Sequence, residues 1–278
     1  MVCKIVSDSA VNMRAAKGDT EFVSVPLTIR AGEKEFVDDV SLDVQEMVNY
    51  MSNFKGKSGT ACPSVEAWLQ AFEGAERILC FTITSGLSGS YNSAKAAKED
   101  FEEKNPGKKV YIVDTLSAGP EMELLIDKAE ELLSQGMDFD KVCEMVMQYK
   151  EKTGLMFSLE SLTNLANNGR VSPVVAKIAG VLGIRVVGRA SDKGQLDPMD
   201  KSRGEKKALA AIWQRMKELN YAGGRVKIDH CNNPLAAKQM EKIILEKFPA
   251  AKIAIGVTYG LCSFYAENGG LLVGFEKA

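Results

Sequence analysis

Short apolar runs alternate with segments of helical periodicity through the first half of the chain. The run from Ile78 to Ile83 is typical of a strand buried on both faces of a parallel sheet. A loop follows at Thr84 to Ser90, and then a helix near Tyr91 to Phe101 and a further strand at Val110 to Val113. Strands that alternate with helices in this way predict a parallel sheet with right-handed crossovers. Ligands of such sheets bind beyond the carboxyl ends of the strands, so we expect a site in the loops there.

The pattern of the sequence changes near residue 155. Beyond it the strand-like runs have helices near Glu205 to Leu219 and Pro234 to Phe248 between them. We predict an α/β chain of two domains: an N-terminal Rossmann-like parallel-sheet domain over residues 1–155 and a C-terminal mixed α/β domain over residues 156–278. The strand-like runs beyond the boundary are Ile184 to Val187, Arg225 to Asp229, Ala251 to Val257 and Leu271 to Phe275.

The charge, the cysteines and the hydropathy of the chain argue against nucleic-acid, metal and membrane partners. The chain has 278 residues, with 35 Lys and Arg against 37 Asp and Glu, so its formal charge of −2 offers no basic field for nucleic acid. Its six cysteines form no C-x-x-C pair and are predicted to be reduced, with no metal site and no cofactor. No run approaches the ~18 apolar residues of a membrane span, and the N-terminus lacks a secretory pattern, so we expect a cytoplasmic protein.

The loop after the buried strand is the most informative segment for function. It reads Thr82-Ile-Thr-Ser-Gly-Leu-Ser-Gly-Ser-Tyr-Asn-Ser-Ala94, and it opens a helix. Gly86 and Gly89 let the backbone approach a ligand closely, while amides at the helix start and hydroxyls such as those of Ser85 and Ser88 can donate to an anion. No Lys follows the glycines, so the segment is not a Walker loop. A Ser/Gly turn that only caps the helix is the structural alternative.

A second polar segment, Ser58 to Ser64, precedes the helix before that strand and is predicted to be a loop at the same edge of the sheet. Thr60 is therefore a candidate second donor. As a single residue it is better explained as a loop hydroxyl before a helix that starts at Pro63.

Six motifs taken together resemble the DegV family of fatty-acid-binding proteins. The resemblance spans nearly the whole chain, and the combination of Ser-x-Leu-Ser-Gly-Ser-Tyr with a later Gly-Arg-Val-Ser is specific. The matching segments are Lys4 to Ser9, Thr60 to Ser64, Ser85 to Ala94, Val113 to Thr115, Asn168 to Ser172 and Arg203 to Lys207.

The resemblance implies that a bacterial, two-domain α/β protein buries one long-chain, palmitate-like fatty acid between its domains and is not an enzyme. It implies that Thr60 and Ser88 hold the carboxylate, with Arg170 near the head group and Ser85 and Gly89 in the same binding loop. It also implies a partner, because some members of the family present the fatty acid to a fatty-acid kinase subunit. Family members often carry a His where alignment from the C-terminus places Tyr265, and a phenol can donate to a carboxylate but does not become a cation near neutral pH.

An acyl tail also needs an apolar lining, because each buried CH₂ contributes roughly 0.8 kcal/mol. The candidates from the sequence are Phe157, Leu165, Ile178 and Leu182, although a structural core uses the same residue types.

Three other functions compete with fatty-acid binding. A hydrolase or transferase would use Ser88 as nucleophile and would need the single histidine, His230, as its base. A phosphate-ligand binder would use the loop from Gly86 to Gly89, although the chain has no carboxylate cluster for Mg²⁺. An interaction module would dock a kinase subunit on the basic segment Lys201 to Lys207, whose alternative explanation is a solvated helix start.

Overall fold

The computed structural model describes residues 3–16, 18–174 and 183–278. Its strands differ in burial, and those over Cys3–Asp8 and Arg77–Thr82 are almost fully buried, as the apolar runs predict. In chain order they are β1 (Cys3–Asp8), β2 (Glu21–Val25), β3 (Thr28–Ala31), β4 (Lys34–Val37), β5 (Ser58–Ala61), β6 (Arg77–Thr82), β7 (Lys109–Asp114), β8 (Thr153–Leu159), β9 (Ile184–Ala190), β10 (Leu196–Arg203), β11 (Tyr221–His230), β12 (Ile253–Val257) and β13 (Leu271–Lys277).

The helices of the described ranges connect and cover these strands, and a 3₁₀ turn at Ser9–Val11 follows β1. In chain order the helices are α1 (Val44–Asn53), α2 (Val65–Phe72), α3 (Ser90–Lys104), α4 (Pro120–Ser134), α5 (Phe139–Lys150), α6 (Thr163–Asn167), α7 (Glu205–Glu218), α8 (Pro234–Leu245) and α9 (Gly260–Ala266).

A four-stranded parallel sheet forms the first large layer, in the order β2-β1-β6-β7. Helices cover both of its faces. On one side Trp68 and Phe72 of α2 pack with Phe101 of α3, and on the other α4 and α5 pack through residues such as Leu125 and Val146. The predicted α/β class with a parallel sheet is confirmed.

A six-stranded mixed sheet forms the second large layer, in the order β10-β9-β8-β13-β11-β12. It is built from residues 153–277, and only β11 and β12 in it run parallel. The helices α7 and α8 pack on one face. The predicted division at residue 155 falls within β8 and stays a prediction.

The helix α4 closes the gap between the two large sheets. Its apolar residues belong to the core beside the parallel sheet, while its first residues lie against β13 of the mixed sheet. The contact is close, because a Cβ added to Gly274 would lie 2.6 Å from both the Pro120 carbonyl carbon and the Glu121 nitrogen. A side chain at position 274 would therefore push the two layers apart.

A small antiparallel sheet, in the order β4-β3-β5, corrects one expectation from the sequence. The segment predicted to be a loop from Ser58 to Ser64 begins as the strand β5, in which Thr60 lies opposite Ile29. The polar, Gly-containing composition suggested a loop, but pairing with β3 supplies the hydrogen bonds that make it a strand. Thr60 consequently sits on a regular element and not on a flexible connection.

No helix in the described parts of the chain is long and apolar enough to span a membrane.

Substitution of Gly274 by Ala is expected to destabilise the protein by about 1–3 kcal/mol, because the added methyl group overlaps the backbone at the start of α4. Urea unfolding followed by circular dichroism measures the change. The matched control is Gly18→Ala, since a Cβ at position 18 has no described atom within 4 Å. Equal unfolding midpoints for the two variants would contradict the close approach of α4 to β13.

Candidate functional site

An apolar cavity lies where the two large sheets face each other, with about 720 Å³ of space between protein atoms when its open mouth is included. Its walls are mostly leucine, alanine and aromatic side chains, as in many small-molecule sites. The lining residues come from every layer of the fold: Leu27, Thr60, Ile83, Leu87, Ser88, Ala118, Leu155, Phe157, Leu159, Leu165, Arg170, Leu196, Leu261, Cys262, Tyr265, Ala266 and Leu272.

The long wall of the cavity is the inner face of β8. Leu155, Phe157 and Leu159 alternate along this strand and are all buried, so they present a continuous apolar surface. Four residue steps of a strand correspond to about 13 Å. A linear apolar chain lying along β8 would therefore contact all three side chains.

Four residues with polar side chains contribute to this apolar lining. The Oγ1 of Thr60 and the phenol oxygen of Tyr265 are 2.8 Å apart and share a hydrogen bond. Ser88 and Arg170 line the same cavity, and the Arg170 Nε donates to the carbonyl of Leu87 at 3.1 Å. Four of the six site residues suggested by the sequence are thus brought to one cavity.

Burial keeps the Tyr265 phenol protonated. Desolvation raises its pKa above the ordinary value, while the hydrogen bond with Thr60 and the charge of Arg170 act in the opposite direction. The phenol therefore stays a neutral hydrogen-bond donor at physiological pH.

A buried carboxylate holds the loop that carries Ser88. The Oδ2 of Asp8, at the end of β1, accepts from the Ile83 nitrogen at 2.8 Å and from the Ser90 hydroxyl at 2.5 Å. These two groups flank the loop, so Asp8 fixes both of its ends. Burial raises the pKa of Asp8 to about 6, although its hydrogen bonds to Ser90, Ile83 and Ala10 lower it. From the sequence, Asp8 was included only in the motif Lys4 to Ser9 and was given no role; its place at the carboxyl end of a neighbouring strand was the available signal.

A second buried carboxylate positions α9, the helix of Tyr265. The two carboxylate oxygens of Asp38 accept from the backbone nitrogens of Gly260 and Leu261 at 2.9 and 2.8 Å. Arg14 donates to the same carboxylate at 2.7 Å and thereby compensates its charge. This role of Asp38 was also missed, because nothing local in the sequence connects it with residues more than two hundred positions away.

Ser85 and Gly89 are the two suggested residues that do not line the cavity. The backbone nitrogen of Ser85 donates to Asp114 at 3.1 Å on the exposed side of the loop, and Gly89 is the residue that precedes α3. Of the predicted lining residues, Phe157 and Leu165 are in place, whereas Ile178 and Leu182 lie outside the described residues.

His230 does not line the cavity either. Its Nδ1 accepts from the backbone nitrogen of Asn233 at 3.2 Å, at the end of β11, and burial lowers its pKa. The described residues also contain no group of three or more His, Cys, Asp or Glu side chains that could hold a metal ion.

Comparison with known proteins matches this chain to one family. A family model described as "Uncharacterised protein, DegV family" covers residues 2–277. A DegV domain-containing protein of Streptococcus pneumoniae is 45% identical, and the match covers 99% of each protein.

Two solved structures are similar over their full length. The Streptococcus pneumoniae Fatty Acid Kinase (Fak) B3 protein, loaded with linoleic acid, has a TM-score of 0.98 at 44% identity, with 100% of both chains covered. A DegV family protein from Eubacterium eligens, loaded with heptadecanoic acid, has a TM-score of 0.97 at 39% identity, with 99% of this chain and 100% of that one covered.

Asp8 is expected to make stability fall as the pH rises through its own titration. Its folded pKa of about 6 lies above its ordinary value of 3.8, so the folded state binds more protons in that interval. The stabilising contribution is present at low pH and is lost as the pH rises through about 6. Asp8→Asn keeps an acceptor oxygen but cannot ionise, and should flatten the change in unfolding free energy across this interval by on the order of 3 kcal/mol.

Urea unfolding at a series of pH values measures this effect. Asp192→Asn is the control, because that carboxylate is almost fully exposed. Parallel stability profiles for Asp8→Asn and the unsubstituted protein would show that Asp8 does not titrate in this interval.

Proposed function

The chain belongs to the DegV family, and on that premise we propose that it is a carrier that binds one long-chain fatty acid in the apolar cavity. The observation that supports this function is the meeting of a long apolar wall with a small group of hydrogen-bond donors inside one cavity. Fatty acids have the matching form, with one anionic end and a flexible apolar tail.

We propose that Thr60 and Ser88 hold the carboxylate. A buried carboxylate costs several kcal/mol unless donors meet its lone pairs. If Tyr265 donates to the Thr60 oxygen, the hydrogen of the Thr60 hydroxyl is left to point at the ligand. Arg170 supplies the positive charge at this end of the cavity. The acyl tail then lies along β8, where burial contributes roughly 0.8 kcal/mol per CH₂ and dominates affinity.

The other functions considered from the sequence have less support. A hydrolase that uses Ser88 needs a base, and the chain's single histidine is held at Asn233 away from the cavity lining. A phosphate ligand would leave the large apolar lining without a counterpart. A fatty acid matches both the apolar lining, through its tail, and the polar side chains, through its carboxylate.

The variants Thr60→Ala and Ser88→Ala are each expected to weaken palmitate binding about tenfold, because each removes one donor to a buried charge. The double variant should largely lose the ordered position of the carboxylate. Titration calorimetry gives the affinities, and a crystal structure of the complex gives the carboxylate position. Affinity for hexadecanol, which has no carboxylate, should fall less.

Ser134→Ala is the control, since the Ser134 hydroxyl is exposed and bonds only to the carbonyl of Glu131 among the described residues. An unchanged affinity and an unchanged carboxylate position in the double variant would refute the assignment of these two hydroxyls.

We propose a palmitate-like ligand, and mass spectrometry of lipid extracted from the purified protein identifies its length and saturation.

We further propose that a fatty-acid kinase subunit is the protein partner. The end of β10 and the start of α7 expose Lys201, Arg203, Lys206 and Lys207. A cluster of exposed cations of this kind favours fast association with an acidic surface. The solved neighbour from Streptococcus pneumoniae is named as a fatty acid kinase protein, which supports this choice of partner.

The double variant Lys206→Glu with Lys207→Glu is expected to weaken association with a fatty-acid kinase subunit about tenfold at low salt, and to leave palmitate binding unchanged. Surface plasmon resonance at two salt concentrations measures the association. The control is Lys238→Glu with Lys242→Glu on α8, which also changes two exposed lysines. Equal weakening by the two pairs would mean that net charge alone, and not this surface, controls association.

A further inference from the structure

Thr84 is the hydrogen-bond centre of the loop that carries Ser88. Its side chain and backbone are buried, and its carbonyl accepts from the nitrogens of Leu87 and Ser88, both at 3.2 Å. Its own nitrogen donates to the carbonyl of Ser117 at 2.9 Å, and its hydroxyl accepts from the Gly86 nitrogen at 3.0 Å. Thr84 therefore fixes the middle of the loop, while Asp8 holds its two ends.

The remaining bond of Thr84 leaves the loop altogether. Its hydroxyl donates to the carbonyl of Gly194 at 2.7 Å, across 110 positions of sequence. Gly194 lies in the turn of the hairpin that joins β9 to β10, and this turn is closed by bonds between Gly194 and Ser191 and between Ser191 and Gln195. The bond thus connects the loop of the parallel sheet with a hairpin of the mixed sheet.

The contact between loop and hairpin admits no side chain on either glycine. A Cβ on Gly194 would lie 2.0 Å from the Thr84 Oγ1, and a Cβ on Gly86 would lie 2.8 Å from the Gly194 carbonyl oxygen. Gly194 also has a φ of +68°, a conformation that favours glycine. Two backbones therefore meet directly, and the Thr84 hydroxyl bridges them.

This contact lies at the rim of the cavity. Leu87 follows Thr84 in the loop and Leu196 follows Gly194 in the hairpin, and both line the cavity while remaining only half-buried. The deeper lining at Leu155, Phe157 and Leu272 is buried. The cavity is partly open, and Leu87 and Leu196 belong to its less buried part, so the spacing of their two segments sets the width of the path to the deep residues.

Resting on the proposed function, we propose that the hydrogen bond from Thr84 to Gly194 is a latch that keeps the cavity narrow between Leu87 and Leu196. Thr84 is a positioning residue: it does not touch the ligand, but it joins the two segments that do. The latch controls the rate of fatty-acid release, because breaking it separates the hairpin from the loop without altering the deep lining.

The test compares release rates for variants at both ends of the bond. Thr84→Val removes the hydroxyl at nearly constant shape, and we expect it to speed the dissociation of palmitate and of hexadecanol by about the same factor, about tenfold. Thr84→Ser keeps the hydroxyl and should restore slow release. Gly194→Ala should speed release as well, because its methyl group displaces the Thr84 oxygen. Stopped-flow transfer of ligand to acceptor vesicles measures the rates.

Two matched controls are present in the chain. Thr82 is a buried threonine on β6 whose hydroxyl has no hydrogen-bond partner among the described residues, so Thr82→Val makes the same chemical change without loss of a bond. Gly136 has a similar φ of +71° with no described atom within 4 Å of an added Cβ, so Gly136→Ala reports backbone strain alone. Both variants should release palmitate at the rate of the unsubstituted protein.

If a folded Thr84→Val variant releases both ligands at unchanged rates, the latch proposal is wrong. It is also wrong if only palmitate dissociates faster, because that result would mean that Thr84 acts on the carboxylate head group. If Thr84→Val does not fold, the dissociation rates of palmitate and hexadecanol from Gly194→Ala are compared in the same way. Failure of the proposed function is a separate result, since the unsubstituted protein would then bind neither palmitate nor hexadecanol.

Discussion

The polar end of the cavity depends on two buried carboxylates. They accept hydrogen bonds from the backbone and hydroxyl donors of the segments that carry Ser88 and Tyr265. A loop that turns from a strand into a helix leaves amide groups without partners, and burying them unpaired costs free energy. Asp8 accepts from both ends of the Ser88 loop, and Asp38 accepts from the first residues of α9. Both side chains are fully buried. Without these acceptors, Ser88 and Tyr265 would have no fixed orientation toward the cavity.

The two carboxylates are not equivalent electrostatically. Asp38 has an arginine partner, Arg14, at 2.7 Å, so its charge is compensated. Asp8 is held by neutral donors, and burial raises its pKa to about 6. The donors that hold Asp8 are two backbone nitrogens and the Ser90 hydroxyl, so among the described residues they bring no positive charge to the loop. The charge in the cavity lining is then supplied by Arg170 alone among the described residues.

The layers of the fold meet through polar contacts as well as through α4. The amide of Asn12 donates to Asp229 of the mixed sheet at 2.7 Å, and its oxygen accepts from the Tyr259 nitrogen at 3.0 Å. Nearby, Lys227 pairs with Glu123 and Asp127 of α4 at 2.9 Å each. Buried pairs of this kind specify one arrangement of the layers better than apolar packing alone. They fix the separation of the sheets around the cavity, and the bond from Thr84 to Gly194 is a further link between the two layers.

The sequence by itself determined the parallel sheet, the position of the Ser88 loop and the family. These features are local: apolar runs and helical periodicity define each element, and the order of elements places loops at one sheet edge. The tertiary structure decided which distant residues meet. Thr60 contacts Tyr265 across 205 positions, and Thr84 contacts Gly194 across 110. No local pattern encodes such pairs, because they depend on how separate sheets pack. For the same reason Thr60 was expected in a loop, although pairing with β3 makes it part of a strand.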